Sequence, residues 1–399
     1  MRVVLLKGQS AYDALRIFID SLAEAFAARG YEAIILDMTQ GAEHIATVEQ
    51  QIFSAPVSLV FSFCIFGEFR DLEGRSLAHK FGAPHVIQHV DYPLTHSHRL
   101  DATAPETALL VIDASHVEAI HSVYGAQRFA HVAFSPHAAI GSPIALEANA
   151  AAYAAARPIP ILFTGTFYRP GPAPWLNFPL GARRILDNAM QIALRAEWMP
   201  ALAALDSSLR DQGLEPTAPD LAPIRKMAAL IHERVRTQRR LELFNAAAEV
   251  NLPIHVYGKG YEGELHRFKN VTYGGEVNLH QAIALMRQAR VVLSINANFG
   301  AGSHERPLTA LMAGAAAATD HSSFYAARFE VGEEIAIYRW QTLHDDLAAL
   351  GRLADDPSAT LAMARAGQAR VMAEHQWANR IDAILSAADA AKSRIKDAA

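Results

Sequence analysis

IHVYGKGYEGELHRFKNVTYGGEVNLHQAIALMRQARVVLSINANFGAGSHERPLTALMAGAAAATD, residues 254–320, decides the fold. Four short apolar runs stand in it: Ile254–Tyr257, Val271–Tyr273, Val291–Ile295 and Ala315–Thr319. The first three are rich in β-branched residues, and all four read as strands. The runs at 254 and 271 end in glycine, and the last ends at Asp320. Between them, Leu279–Arg287 and Pro307–Ala313 carry helical spacing, and Gly314 closes the second. Strands alternating with helices predict a parallel sheet covered on both faces.

The same alternation fills the N-terminal part. Strands are expected at Val3–Leu6, Ala33–Leu36, Val57–Phe66, His85–Val90, Leu109–Ile112 and Val132–Phe134. Helices are expected at Ala11–Arg29, Ile45–Phe53, Leu72–Phe81 and Ser115–Tyr124. The pattern lapses in an alanine-rich, proline-flanked stretch and restarts with the strand Ile161–Thr164 in ILFTGTFYRPGP. We therefore divide the chain into an α/β domain over 1–140, a linker over 141–158, and a second α/β domain over 159–370. A helical insert interrupts the second domain at about 180–248, and a terminal helical segment spans 371–399. The charged run HERVRTQRR, 232–240, reads as a solvated helix face.

Composition narrows the class. The 399 residues exceed one ordinary domain, and 51% hydrophobic against 19% charged residues supplies a sizeable core. A net charge of -5 argues against nucleic acid or an anionic membrane as the main partner. Cys64 is the sole cysteine, which excludes an internal disulfide and a cysteine-cluster metal site. It lies in an apolar run and reads as core, while Phe63, Phe66 and Phe69 read as packing for the sheet and its rim. The N-terminal apolar run is too short for a signal peptide, so a cytoplasmic location is expected. Eighteen histidines are the compositional oddity.

Ligands of open α/β sheets bind at the carboxyl ends of the strands. Three loops there share a chemistry. Gly258-Lys259-Gly260 offers close backbone approach and a cation, and Gly274-Gly275-Glu276-Val277 offers flexible backbone groups. Gly300 to Pro307, GAGSHERP, runs into a helix whose N-terminal amides and Arg306 suit a diphosphate.

The order of these loops resembles the nucleotide-sugar domain of GT-B glycosyltransferases, and in particular the CgeB-like (spore maturation protein) bacterial group. Phe163-Thr164-Gly165-Thr166-Phe167, Tyr257-Gly258 and His304 through Gly314 carry the likeness. In the first half, His89-Val90-Asp91-Tyr92-Pro93-Leu94 resembles the group's DxP strand end. The resemblance implies two Rossmann-like domains facing a cleft, with the nucleotide-sugar donor, such as a UDP-sugar, on the second. It implies that the terminal helix, expected over Gln368–Ser386 with Trp377, crosses back to the first domain, and that transfer needs no divalent metal or other cofactor. Donor-binding positions carried over are Gly165, Lys259, Gly275, Val277, Gly302, Ser303, Arg306, Pro307, Leu308 and Thr309. Many relatives hold the donor ribose with a glutamate where this chain has Thr309. Either Thr309 or Ser303 replaces it, or the donor is an unusual one.

Arg306 and Lys259 are the cations expected to face the leaving diphosphate. Glu305 would bind the sugar or hold Arg306. Activating an acceptor hydroxyl calls for a carboxylate or an imidazole. Asp91, His96, His304 and Glu305 are the catalytic candidates, with His98 and His137 behind them. His96-x-His98 offers only two ligands, so no metal site is expected. The partners expected are the donor and an acceptor of unknown chemistry. Alternatives of the same fold are a nucleotide-sugar epimerase and a non-catalytic binding or scaffold protein.

Overall fold

The computed structural model describes residues 1–64, 75, 80, 82–167, 171–261, 265, 268–296 and 298–398. It divides into two compact units, Met1–Ala138 with Gln376–Ala399, and Ala139–His375.

The first unit holds β1 (Arg2–Lys7), β2 (Glu32–Asp37), β3 (Val57–Phe63), β4 (His85–His89), β5 (Ala108–Val111) and β6 (His131–Phe134). They form one sheet in the order β2-β1-β3-β4-β5-β6, and every pair is parallel. β1 is buried on both faces, as the unbroken run Val3–Leu6 requires. The helix Ala14–Ala28 buries one stripe, Ile17, Phe18, Leu22 and Phe26. Expected features at 72–81, apart from Arg75 and Lys80, and at Phe66 and Phe69 lie outside the described residues.

The C-terminal segment completes this unit. Trp377 packs against Phe18 and Phe63, with ring centroids at 6.0 and 5.6 Å. Arg380 donates to the carbonyls of Pro136 and His137, and Arg394 to those of Phe129 and Gln127. The single helix expected over 368–386 is two helices, Pro357–Glu374 and Ile381–Ala398, joined by a 3-10 turn at Trp377–Arg380. The side chains of Gln376 and Asn379 take each other's main-chain amides there. Such local bonds offer the backbone an alternative to helix.

The second unit holds β7 (Ile159–Thr164), β8 (Ile254–Tyr257), β9 (Val271–Tyr273), β10 (Ala289–Leu293), β11 (Ala316–Asp320) and β12 (Ala336–Tyr338). Their order is β12-β11-β10-β7-β8-β9, all parallel. Counted within the unit this is the doubly wound order 3-2-1-4-5-6, so the order reverses between β7 and β10. β12 was not expected from the sequence.

The stretch expected as a linker is packed into this unit. Its helix Ala150–Ala156 places the Tyr153 hydroxyl on the carbonyl of Gly314 at 3.2 Å. Arg157 is fully buried and donates to Met286, Ala289 and Ala313. Two of those carbonyls lie at helix C-termini, where a cation is favoured.

The insert comprises the helices Leu180–Arg195, Ala201–Asp211, Ala222–Lys226 and Ala228–Glu249. Its charged run is not a solvated face: His232, Arg239 and Arg240 are all buried. Arg239 donates to the carbonyls of Leu194 and Ala196, lies over the Trp340 ring at 4.6 Å and pairs with Glu242. Arg240 donates to the carbonyl of Thr166, beyond the end of β7. Guanidinium groups with several acceptors tolerate burial that a sequence-level charge rule forbids.

Candidate donor site and the histidine cluster

The strand ends of the second unit are knitted by main-chain bonds. Gly165 donates to Tyr257, Phe167 to Lys259, Gly258 to Gly275, and Gly274 to Val256. Gly258 has φ 137°, and a Cβ there would lie 2.0 Å from the carbonyl oxygen of Gly165. Only glycine lets the two loops approach so closely. Lys259 is exposed at the tip.

Arg306 projects from the first turn of the helix Glu305–Met312 toward the reversal of strand order. Its Nη1 donates to Ser294 Oγ, after β10, at 3.5 Å. Its Nη2 lies 3.7 Å from where a Cβ of Gly165, after β7, would be. No carboxylate pairs with Arg306 among the described residues. A cation thus stands at the switch point of a doubly wound sheet, beside a helix N-terminus.

The loop between β10 and this helix is held from several sides. Asn296 donates from Nδ2 to the carbonyls of Phe299 and Gly302 at 2.7 and 3.2 Å. Its amide donates to Asp320 at the end of β11. Burial pushes the Asp320 carboxyl up to about 6, against the bonds that favour its charge. Ser322 Oγ donates to the Gly302 carbonyl at 2.6 Å. The insert supplies the outer wall: Trp198 Nε1 donates to the Asn298 carbonyl at 3.1 Å, and His232 stacks on Phe299 at 5.5 Å. A Cβ on Gly300 would fall 2.0 Å from the Trp198 ring. Sequence reasoning missed Ser294, Asn296 and Trp198, and gave Asp320 no role beyond ending a strand.

His304 is the N-cap of the helix. Its Nδ1 faces the Arg306 amide at 3.3 Å and also pairs with the Glu305 carboxylate. The His304 amide donates to Tyr325 Oη at 3.0 Å, and that hydroxyl donates to the His304 carbonyl at 2.9 Å. The amides of His304 and Arg306, expected to point at a ligand, are thus bonded within the protein. Leu308 and Ser303 are fully buried and Pro307 is buried. Thr309 is corrected as a ribose ligand: it is 1% exposed, and its Oγ1 accepts from the Ile140 amide at 3.2 Å. Gly302 contributes a carbonyl to loop closure, while Gly275 and Val277 are half-buried beyond β9.

In the first unit, Asp91 and His96 follow β4 and come together, His96 Nε2 to Asp91 Oδ2 at 3.4 Å. The donor atoms of Cys64, Asp91 and His96 all lie within 4.8 Å of one another. Burial pushes the Cys64 thiol up to about 12. His98 is exposed and accepts from Arg99. His137 is corrected as a ligand-facing candidate: it is buried against Phe18 at 5.5 Å.

Residues 236–386 match the family profile described as "Glycosyl transferase-like". That stretch includes β8 to β12 and the loop bearing Arg306. Sucrose-phosphate synthase from Thermosynechococcus elongatus is similar over 100% of both chains, with TM-score 0.54 and 14% identity. HepE from Anabaena, solved in complex with UDP-glucose, covers 97% of this chain and 98% of its own, with TM-score 0.47 and 12% identity. WaaG, a glycosyltransferase involved in lipopolysaccharide biosynthesis, covers 96% and 98%, with TM-score 0.47 and 13% identity. Curated protein sequences give no match. Two parallel six-stranded α/β units in one chain are the GT-B fold. No helix among the described residues is long and apolar enough to cross a membrane.

Proposed function

We propose that this chain, which carries a glycosyltransferase domain of the GT-B fold, transfers a sugar from a nucleotide-diphosphate donor to an acceptor hydroxyl. The observation that carries the reading is Arg306 at the switch point between β7 and β10, without a carboxylate partner among the described residues. Departure of a nucleoside diphosphate develops negative charge, and a preorganised guanidinium stabilises it by charge-assisted, bidentate hydrogen bonds. Lys259, exposed on the neighbouring loop, adds a second positive charge. These groups do the work that a divalent cation does elsewhere, so the transfer step is read as metal-independent. The helix N-terminus contributes its dipole rather than the amides of His304 and Arg306, which are already bonded.

Glu305 and His304 act as one unit in this reading. The Glu305 carboxylate and the Arg306 amide both meet His304 Nδ1, and this turn aims Arg306. A UDP-sugar is the donor class proposed, with the CgeB-like group as the subgroup and the cytoplasm as the location. The test is calorimetry with a panel of nucleoside diphosphates and their sugars. Binding of at least one is expected, and binding of none would sink the reading. Conversion of the bound sugar to its epimer without an acceptor, followed by NMR because the two have equal mass, would mark an epimerase instead.

A further inference from the structure

Three donor atoms of different chemistry meet at the ends of β3 and β4. Cys64 directly follows β3, Asp91 follows β4 after one residue, and His96 closes the next turn. The Val90 amide donates to Cys64 Sγ at 3.2 Å, which fixes the sulfur beside the β4 end. The three donor atoms lie within 4.8 Å of one another, and the Asp91–His96 edge is already 3.4 Å. Zinc–ligand bonds of about 2.0–2.3 Å give tetrahedral edges of roughly 3.3–3.8 Å, so a contraction of about 1 Å closes the set.

Two further observations point to a ligand. His89 is 2% exposed, and neither ring nitrogen has a hydrogen-bond partner among the described residues. Its ring lies 6.4 Å from that of His96. Buried polar groups are nearly always satisfied, and a metal ion satisfies an imidazole nitrogen. Cys64 itself has φ 46°, a left-handed conformation that a side chain rarely adopts. Such strain clusters where a side chain is held for a task.

We infer that Cys64, Asp91 and His96 hold a zinc-class divalent cation, with His89 as its fourth donor. Sulfur, imidazole and a single carboxylate suit zinc, whereas calcium and magnesium take oxygen ligands. Binding exchanges the Cys64 thiol proton, released to solvent, for a metal–sulfur bond. The ion would clip the β3 end to the turn after β4. None of its ligands belongs to the donor site.

The test is titration of the chelator-treated full chain with cobalt(II), with zinc as competitor. Tetrahedral visible bands and a thiolate-to-cobalt charge-transfer band are expected, both displaced by zinc. Cys64→Ser should lose the charge-transfer band while circular dichroism stays native, and His89→Gln should bind about 10–100-fold more weakly. X-ray absorption on the zinc-loaded wild type should show one sulfur neighbour, and needs no variant to fold. Absence of the charge-transfer band, its persistence in Cys64→Ser, wild-type affinity in His89→Gln, or a shell of nitrogen and oxygen alone overturns the assignment. None of these readouts involves a nucleotide or a sugar.

Discussion

Arg306 Nη1 stands 3.5 Å from the hydroxyl of Ser294, the residue that follows β10. That one contact joins a helix N-terminus to the point where the strand order reverses. Arg306→Ala should weaken nucleoside-diphosphate binding by about 1.5–3 kcal/mol, the scale of a lost charge-assisted contact. Arg306→Lys should recover part of the affinity, because a point charge replaces the planar fork. Calorimetry checks both, and unchanged affinity in the alanine variant would make Arg306 structural.

Gly258→Ala should destabilise the protein by about 2 kcal/mol or more. Its Cβ would collide with the Gly165 carbonyl at 2.0 Å. Gly275→Ala shares a positive φ, 95°, but meets nothing within 4 Å, so its cost should be about 1 kcal/mol. Denaturant unfolding of the pair separates collision from backbone strain.

Thr309→Val should leave nucleotide affinity unchanged and cost about 1 kcal/mol of stability, through the bond lost from the Ile140 amide. A large loss of affinity with stability intact would restore Thr309 to the donor site.

Stability should respond to pH in two opposite ways. Asp320, raised to about 6 by burial, binds its proton more tightly in the folded state. Its contribution is full below the unfolded value of about 3.9 and is lost as pH rises through about 6. His85, lowered to about 3 by burial, stays neutral when folded. The unfolded imidazole takes a proton below about 6.5, so stability falls as pH drops through that value toward about 3. Asp320→Asn should remove the first dependence and His85→Gln the second. Unfolding curves between pH 3 and pH 8, on the order of these limits, check the signs.

Much of this protein was determined by the sequence alone. Short apolar runs and period-3.6 patterning, with stops such as Gly314, are local properties, so eleven of the twelve strands among the described residues could be placed from them. The glycine loops could be placed too, because close backbone approach demands glycine wherever it occurs. Only the tertiary structure decided which side chains share a site. Arg306 and Ser294 are brought together by strand order, which no local pattern encodes. Thr309 is taken by Ile140, 169 positions away. The charged run 232–240 is buried because carbonyls of distant segments accept from its arginines. Burial, partner and pKa depend on what lies across the fold, and that is set by packing rather than by spacing along the chain.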